Sequence, residues 1–387
     1  MQHRLKKIII LIVLNIVFIS GCSTNTDSPG ENNVQVYEQF GALEFSTDDG
    51  FYHTNNSGYL YFFDYETKKD VLTCSKVNCR MEAQLKEDSE AYIGNNGAGF
   101  VSGDKLYVIS KNDDIEKKYS LIESNLDRSN QKEIVKINST MILSFAVIKE
   151  TAYFAIDEVI FTESESGAIV EEPKHNCYLL GVDLKSGKQE RLTEPKNNFN
   201  NSLKIVAADE NMIYMTYNYF ENYFDGTNFK DANEKIENYK YDIKTKKLTS
   251  ILEDRNIVRG QLIGDTLLTV ESKDINEKEV NSEKVFMVMK YTLPDYKPIE
   301  IVSTRQYPIF NNDEWIYQDD KTKEFYSLDF ETVESKKIIM NEAKGVIIFN
   351  DAKDYYYISY MKDGKMERGF ILKSDYKKGK KEIIEVH

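Results

Sequence analysis

One short pattern recurs along this chain: an aromatic or β-branched run ends in Asp and is followed by a polar turn. The clearest copy is Gly58 to Lys69 (GYLYFFDYETKK), closing at Val71 and Leu72. Others are Tyr178 to Lys188 (YLLGVDLKSGK), Tyr239 to Lys247 (YKYDIKTKK) and Phe325 to Thr332 (FYSLDFET). Weaker copies sit at Tyr119 to Asp127, Phe286 to Leu293 and Phe370 to Asp375. Each follows a second run entered from a turn: Gly50 to His53, Gly103 to Ile109, Thr151 to Ile156, Asn211 to Met215, Gly264 to Leu268, Glu314 to Tyr317 and Asp354 to Ile358. Alternating β-branched and aromatic residues bounded by Gly, Asp and Asn predict strands of period two. The Asp-x-x-(Thr or Ser)-(Gly or Lys) segments predict hairpin turns, because Asp bonds its own backbone and Gly takes positive φ.

Units of this kind, spaced roughly 35 to 60 residues apart with four short strands each, predict an all-β fold, a single β-propeller. Seven copies predict seven blades, with six or eight also allowed. Two β-sandwich domains are the alternative, but a sandwich does not keep repeating one hairpin. A propeller also answers the length of 387 residues, beyond the roughly 250 to 300 at which one core stops growing, because each blade packs only on its neighbours. The propeller is expected over residues 34–387, with Val34 to Phe45 expected to complete the last blade as a closing strand that protects a sheet edge. Periodicity demands no helix in this body.

The start of the chain has a different character. Arg4, Lys6 and Lys7 precede an apolar run, Ile8 to Ile19, interrupted only by Asn15 and too short to span a bilayer core of roughly 30 Å as a helix. The run Ile19-Ser20-Gly21-Cys22 resembles the bacterial lipobox, in which a small residue precedes a Cys whose thiol is diacylated before cleavage. The resemblance implies a lipoprotein signal peptide, helical in its apolar part, over residues 1–21. It also implies lipidation of Cys22 and a mature protein held by lipid on the extracytoplasmic face of the cell membrane. An uncleaved membrane anchor is the alternative. Residues 22–33 are polar, carry Pro29 and Gly30 and lack apolar periodicity, as a flexible tether does.

Loss of residues 1–21 removes three basic residues and no acidic ones, leaving 47 basic against 64 acidic, or −17. That sign repels nucleic acid and suits a cationic partner. Hydrophobic residues at 41% and aromatics at 12% exclude compositional disorder.

The chain also resembles the largely uncharacterised exported β-propeller lipoproteins of Firmicutes-type bacteria. In these a Leu-Cys run is followed by Cys-Lys-His and, farther on, Cys-x-Ala-Tyr. The matching stretch is Leu72 to Met81 (LTCSKVNCRM), with Cys74 and Cys79, followed by Ser89 to Tyr92 (SEAY). The family's His position is Met81 and its third Cys position is Ser89 or a neighbour. The resemblance implies a propeller and no particular activity. Export makes a Cys74–Cys79 disulfide plausible, closing a short loop worth about 2 kcal/mol in the chain-entropy model. Free thiols are the alternative. A metal reading would have to recruit His53, His175 or Cys177, which are scattered. Cys177, just before an apolar strand, is expected in the core.

Catalytic motifs are absent from the pattern. The body holds His53, His175 and the terminal His387, and no Gly-rich phosphate loop. His53 is expected to pack with its ring nitrogen hydrogen-bonded, and His175, after Pro173, to lie in a loop. The acid doublets Asp113-Asp114, Asp313-Glu314 and Asp319-Asp320 fall where solvated turns are expected. Aromatic runs such as Tyr214 to Phe224 and Tyr355 to Tyr357 carry more rings than one sheet face buries, so exposed Tyr and Trp315 are candidates for a binding platform, with packing between blades as the alternative. The segment Asn218 to Asn238 reads as an insertion, and Tyr219, Phe220, Tyr223 and Phe224 are its candidate binding residues. The function expected is a monomeric, non-enzymatic propeller that binds or scaffolds a protein, peptide or glycan, without cofactor or metal. A hydrolase or lyase with carboxylate or Tyr chemistry in the central channel is the alternative.

Overall fold

The structure, a computed structural model, describes residues 34, 36–38, 43–76, 89–94, 97–111, 118–160, 174–221, 233–274, 284–310, 313–330, 332–338, 346–380 and 382–386. The signal, the tether with Cys22 and the residues Cys79, Asp113, Asp114, Tyr223, Phe224 and His387 lie outside them.

After a short strand β1 (Val36–Glu38), the chain builds seven four-stranded antiparallel meanders. Blade 1 is β2 (Glu44–Ser46), β3 (Gly50–Thr54), β4 (Leu60–Asp64) and β5 (Asp70–Leu72). Blade 2 is β6 (Gly97–Ser102), β7 (Lys105–Lys111), β8 (Lys118–Asn125) and β9 (Lys132–Asn138). Blade 3 is β10 (Met141–Ile148), β11 (Thr151–Ile160), β12 (Lys174–Asp183) and β13 (Gln189–Arg191). Blade 4 is β14 (Lys196–Ala208), β15 (Met212–Glu221), β16 (Asn233–Asp242) and β17 (Lys247–Ile251). Blade 5 is β18 (Ile257–Ile263), β19 (Thr266–Asp274), β20 (Lys284–Thr292) and β21 (Lys297–Thr304). Blade 6 is β22 (Ile309–Phe310), β23 (Glu314–Gln318), β24 (Phe325–Asp329) and β25 (Glu334–Ile338). Blade 7 is β26 (Ile347–Ala352), β27 (Tyr355–Lys362), β28 (Lys365–Leu372), a one-turn helix α1 (Lys373–Tyr376) and β29 (Ile383–Glu385). The molecule is a seven-bladed β-propeller. The strong and weak copies of the repeat fall on the third strands, and the runs upstream of them on the second.

Side chains alternate across each strand, so both faces of a blade are buried against its neighbours. The core is therefore a ring of seams. Leu43, Phe45 and Tyr52 fill the seam to blade 2, and Phe100, Phe145 and Phe154 the next. Trp315 lies between blades 5 and 6, 1% exposed. In the Tyr355 to Tyr357 run, Tyr355 and Tyr357 point to blade 1 and Tyr356 to blade 6, all buried. Trp315 and these tyrosines are thus packing residues, not an exposed platform: a blade offers two buried faces where a half-exposed sheet offers one.

The turns follow their sequence signature. Asp64 Oδ1 accepts from Thr67 N (2.7 Å) and Oγ1 (3.0 Å), and Asp183 takes the same two bonds from Ser186 at 2.7 and 2.6 Å. The next residue is left-handed: Lys68 (φ 56°), Gly187 (70°), Lys246 (55°), Val333 (54°). At Gly187 a Cβ would also stand 2.5 Å from the Ile134 carbonyl oxygen, so only glycine fits there.

The start of the body departs from expectation. Among the described residues no strand from 34–45 joins blade 7, whose four strands all come from the C-terminal end. Instead β1 pairs antiparallel with the free edge of β10, Val36 opposite Ala146 and Glu38 opposite Ser144. First strands of successive blades touch one another, β26 with β2, β2 with β6 and β10 with β14, so they line the axis and β1 lies on its channel side. Tyr37 stacks on Phe145 at 4.4 Å and 4°, and Val34 and Val36 pack into the seam between blades 3 and 4. There β1 finds an unpaired backbone edge, and Val36 and Tyr37 find buried neighbours in the seams on either side.

Among the described residues, blades 7 and 1 therefore close through side-chain contacts without a shared strand. Phe51, Phe63 and Phe370 interleave, with Phe63 and Phe370 stacked at 4.0 Å. His53, fully buried, places Nε2 2.8 Å from Asp70 Oδ1 and Nδ1 3.4 Å from the Tyr357 hydroxyl. Glu44, 12% exposed, faces Arg368 Nη1 at 3.9 Å. Burial pushes the Glu44 carboxyl up to about 7, and Arg368 and Asn350 restore only part of the loss. The folded state then holds a proton that the unfolded chain releases near 4.5, so this site contributes least stability at high pH. Stability is expected to fall by about 3 kcal/mol as pH rises from 4.5 to 7 on this account. Glu44→Gln should remove that slope and melt higher than the parent at pH 8, in melts at pH 5 and 8. An unchanged slope would refute the assignment.

Candidate binding face

The two ends of the blades differ. One end carries the first–second and third–fourth turns, tight in nearly every blade. The other carries the second–third connections, and those of blades 3, 4 and 5 are long: 161–173, 222–232 and 275–283. Part of the expected insertion is strand: residues 218–221 belong to β15 and 233–238 to β16, so the hairpin itself is extended.

At that end of blades 3 and 4, β14 pairs first with β12 (Lys196 opposite Cys177) and then, past a bulge, with β15, fusing the two blades into one sheet. This brings together side chains far apart in sequence. Lys196 Nζ donates to Glu237 and to the Tyr239 hydroxyl (2.5 Å), and sits 4.7 and 4.4 Å from the Tyr217 and Tyr239 ring centres. Tyr219 donates to Glu237 Oε1 (3.2 Å) and stacks on Tyr217 at 5.2 Å. Burial pushes the Glu237 carboxyl up, but Lys196, Tyr239 and Tyr219 together hold it below its usual value. Lys196 and Glu237 remain about a third exposed, at 32% and 34%. The result is an aromatic and ionic patch, pre-formed and partly wet.

Beneath it lies a Cys, a His and an Asp. His175 is on β12, not in a loop, and its Nδ1 is 2.9 Å from Asp157 Oδ1. Cys177 is 1% exposed in the core, with Sγ 3.4 Å from Asn201 Oδ1. Asn201 Nδ2 donates to the His175 carbonyl (3.0 Å) and to the Tyr217 hydroxyl (2.8 Å). Burial, with Asp157 nearby, pushes the Cys177 thiol far up, the opposite of an activated nucleophile. Burial likewise raises the Asp157 carboxyl against the pull of His175. The group reads as a satisfied polar core supporting the patch.

Of the expected site residues, Tyr219 packs on Tyr217 and belongs partly to the seam, and Phe220 lies in β15 opposite Glu234. Tyr223 and Phe224 lie outside the described residues. Lys196 and Glu237 stand in no sequence motif and Tyr239 only opens a copy of the repeat; the i, i+2 spacing of Glu237 and Tyr239 on a strand is the available signal. His53, in the seam of blades 7 and 1, is far in the fold from His175 and Cys177, so the residues of the metal reading do not meet. Cys74 Sγ is 3.8 Å from Glu90 Oε2; its expected partner Cys79 lies outside the described residues. The Ser89 to Tyr92 segment is structural: Tyr92 bridges Tyr59, and the Glu90 carbonyl receives Arg128 Nε (3.2 Å) and Gln131 Nε2 (3.1 Å) of blade 2. Among the acid doublets, Asp319 caps a turn through Thr322 N (2.8 Å), but Glu314 is buried at 5% and bonded on every side.

No family model matches the chain, and no curated protein does. Among solved structures it is similar to an oligogalacturonate lyase in complex with manganese (11% identity, TM-score 0.45, 76% of this chain and 79% of that one). It is also similar to the Pyrococcus horikoshii acylaminoacyl peptidase (13%, 0.46, 75% and 45%) and to the β-propeller domain of the Trilobed protease from Pyrococcus furiosus (13%, 0.43, 70% and 81%). The chain thus spans less than half of the peptidase. No activity passes from any of them to this chain.

Proposed function

We propose that this chain is a cell-surface lipoprotein, held through Cys22, whose propeller binds a cationic protein or peptide at the end bearing the long connections. The observation that carries the reading is the asymmetry of the two ends: tight capped turns on one, and on the other connections 161–173, 222–232 and 275–283 beside the partly exposed Lys196–Glu237–Tyr239 patch. Long connections on a rigid scaffold are where recognition concentrates. Tyrosines supply broad contact at little entropic cost. The mature charge of −17 draws cationic partners, and exposed contacts beyond about 8 Å are screened at physiological salt. A hydrolase in the channel has less support, because β1 lines the edge of β10 there. A Cys74–Cys79 disulfide remains part of this proposal.

The test uses the full chain in its host membrane. Cys22→Ser should abolish lipid labelling and release the protein, and surface partners captured by the parent should be retained about tenfold less by a Lys196→Ala, Tyr223→Ser, Phe224→Ser variant with an unchanged melt. Labelling of Cys22→Ser refutes the anchor; undiminished capture refutes the binding face.

A further inference from the structure

A second feature lies at the opposite end of the same two blades. Between blades 3 and 4, on the side of the tight turns, is a cavity of about 260 Å³. Its origin is one position of the repeat. Two residues before the end of each third strand stand Phe62, Glu123, Lys240, Lys290, Ser327 and Phe370 in six blades, and Gly181 in blade 3. In blade 2 the corresponding Glu123 receives the hydroxyl of Tyr107 at 3.0 Å; in blade 3, Tyr153 faces a residue with no side chain. The backbone does not demand glycine here. Gly181 lacks a positive φ, and the nearest atoms to an added Cβ would be side-chain atoms of Leu192, from 3.1 Å. At Gly181 the repeat thus leaves a space beside Tyr153.

The walls are Tyr153, Tyr241, Leu192 and Ile243. Tyr241 is 1% exposed, and its hydroxyl has no hydrogen-bond partner among the described residues. Two lysines, Lys188 and Lys246, and two acids, Asp183 and Glu190, stand at the rim, and Lys246 bridges to Glu190 across the seam. The rim charges balance, which disfavours an ion and leaves hydrogen-bonding groups around an aromatic and aliphatic floor. The volume is below the roughly 300 to 1,000 Å³ of drug-sized sites and suits a single ring. We propose that this cavity binds one neutral sugar ring: its C–H faces meet Tyr153, Leu192 and Ile243, and its hydroxyls meet Tyr241 and the rim. The site is at the other end from the proposed partner-binding face, so either can fail alone.

The full chain is titrated with glucose, galactose and N-acetylglucosamine, read by saturation-transfer NMR and calorimetry. At least one should bind, with Tyr241→Phe weakening it about fivefold and Gly181→Val abolishing it. Tyr241→Phe only deletes an unpartnered oxygen, so it keeps the fold and decides the matter if Gly181→Val does not fold. No transfer from any of the three sugars, as for a cavity holding only water, overturns the proposal. So does equal affinity in folded Tyr241→Phe.

Discussion

A chain ending at residue 343 is expected to lose its fold altogether. It lacks β26 to β29, the whole of blade 7, and the loss uncovers a seam on each side. Phe51 and Phe63 of blade 1 are 0% exposed and Ile316 of blade 6 is 1% exposed, each against blade 7. Exposing each large apolar side chain costs about 2 kcal/mol, so a few of them approach the roughly 5 to 15 kcal/mol that holds a protein folded. His53 would also lose Tyr357, and its ring, now buried with Asp70, would open to water. Among the described residues no strand is shared between the first and last blades, so side-chain contacts across this seam hold the ring shut. The truncated chain should show no cooperative melt and be digested by trypsin along its length. A compact, resistant fragment ending near residue 343 would mean that blades 1 to 6 stand as a separate unit.

The second large effect is expected at Glu314. This carboxylate begins β23 at the seam of blades 6 and 7 and is 6% exposed in its side chain. It receives Lys377 Nζ (2.6 Å), the Tyr356 hydroxyl and the Ser327 hydroxyl. Lys373 of α1 joins Asp313 (2.8 Å) and Asp351 alongside, so α1 and the residue after it clasp blade 7 onto blade 6. Glu314→Ala leaves an ammonium and two hydroxyls unpaired. Removing one member of a buried pair costs roughly 3 to 5 kcal/mol, and since Lys377 is 28% exposed and keeps some water, about 3 kcal/mol is expected. Glu314→Gln keeps one acceptor oxygen, enough for one of the two hydroxyls, and should lose about half as much. Burial pushes the Glu314 carboxyl up, but Lys377, Ser327 and Tyr356 outweigh it and hold it below its usual value. Its contribution is therefore present above the ordinary glutamate value of 4.5 and lost as pH falls below it. Urea melts of parent and Glu314→Ala should differ at pH 7 and converge in acid. Equal stability at pH 7 would show that the cluster is incidental.

Much of the fold was legible because its determinants are local. Alternation of Tyr, Phe, Ile and Val marks the second and third strands, and the Asp–Thr and Asp–Ser spacings mark the turns that join the third strand to the fourth, down to the left-handed Gly187; that Lys68 takes the same conformation only the structure shows. Seven repeats of one hairpin leave few ways to bury both faces of each sheet. What the sequence could not say is which faces meet. Tyr355, Tyr356 and Tyr357 are identical in kind and adjacent in chain, yet they enter two different seams, and Glu314 looks like half of a surface doublet until Lys377 and Tyr356 arrive from sixty-three and forty-two residues away. The place of β1 was also undetermined, because three residues carry no pairing signal of their own, and only the assembled ring shows that β1 lies on β10. The same holds for the candidate site. Lys196, Glu237 and Tyr239 share no motif, and their patch exists because β14 leaves blade 3 to start blade 4. Periodicity along the chain determined the blades; the packing of one blade on the next, which depends on residues distant in sequence, decided where charge is buried and where it is offered to a partner.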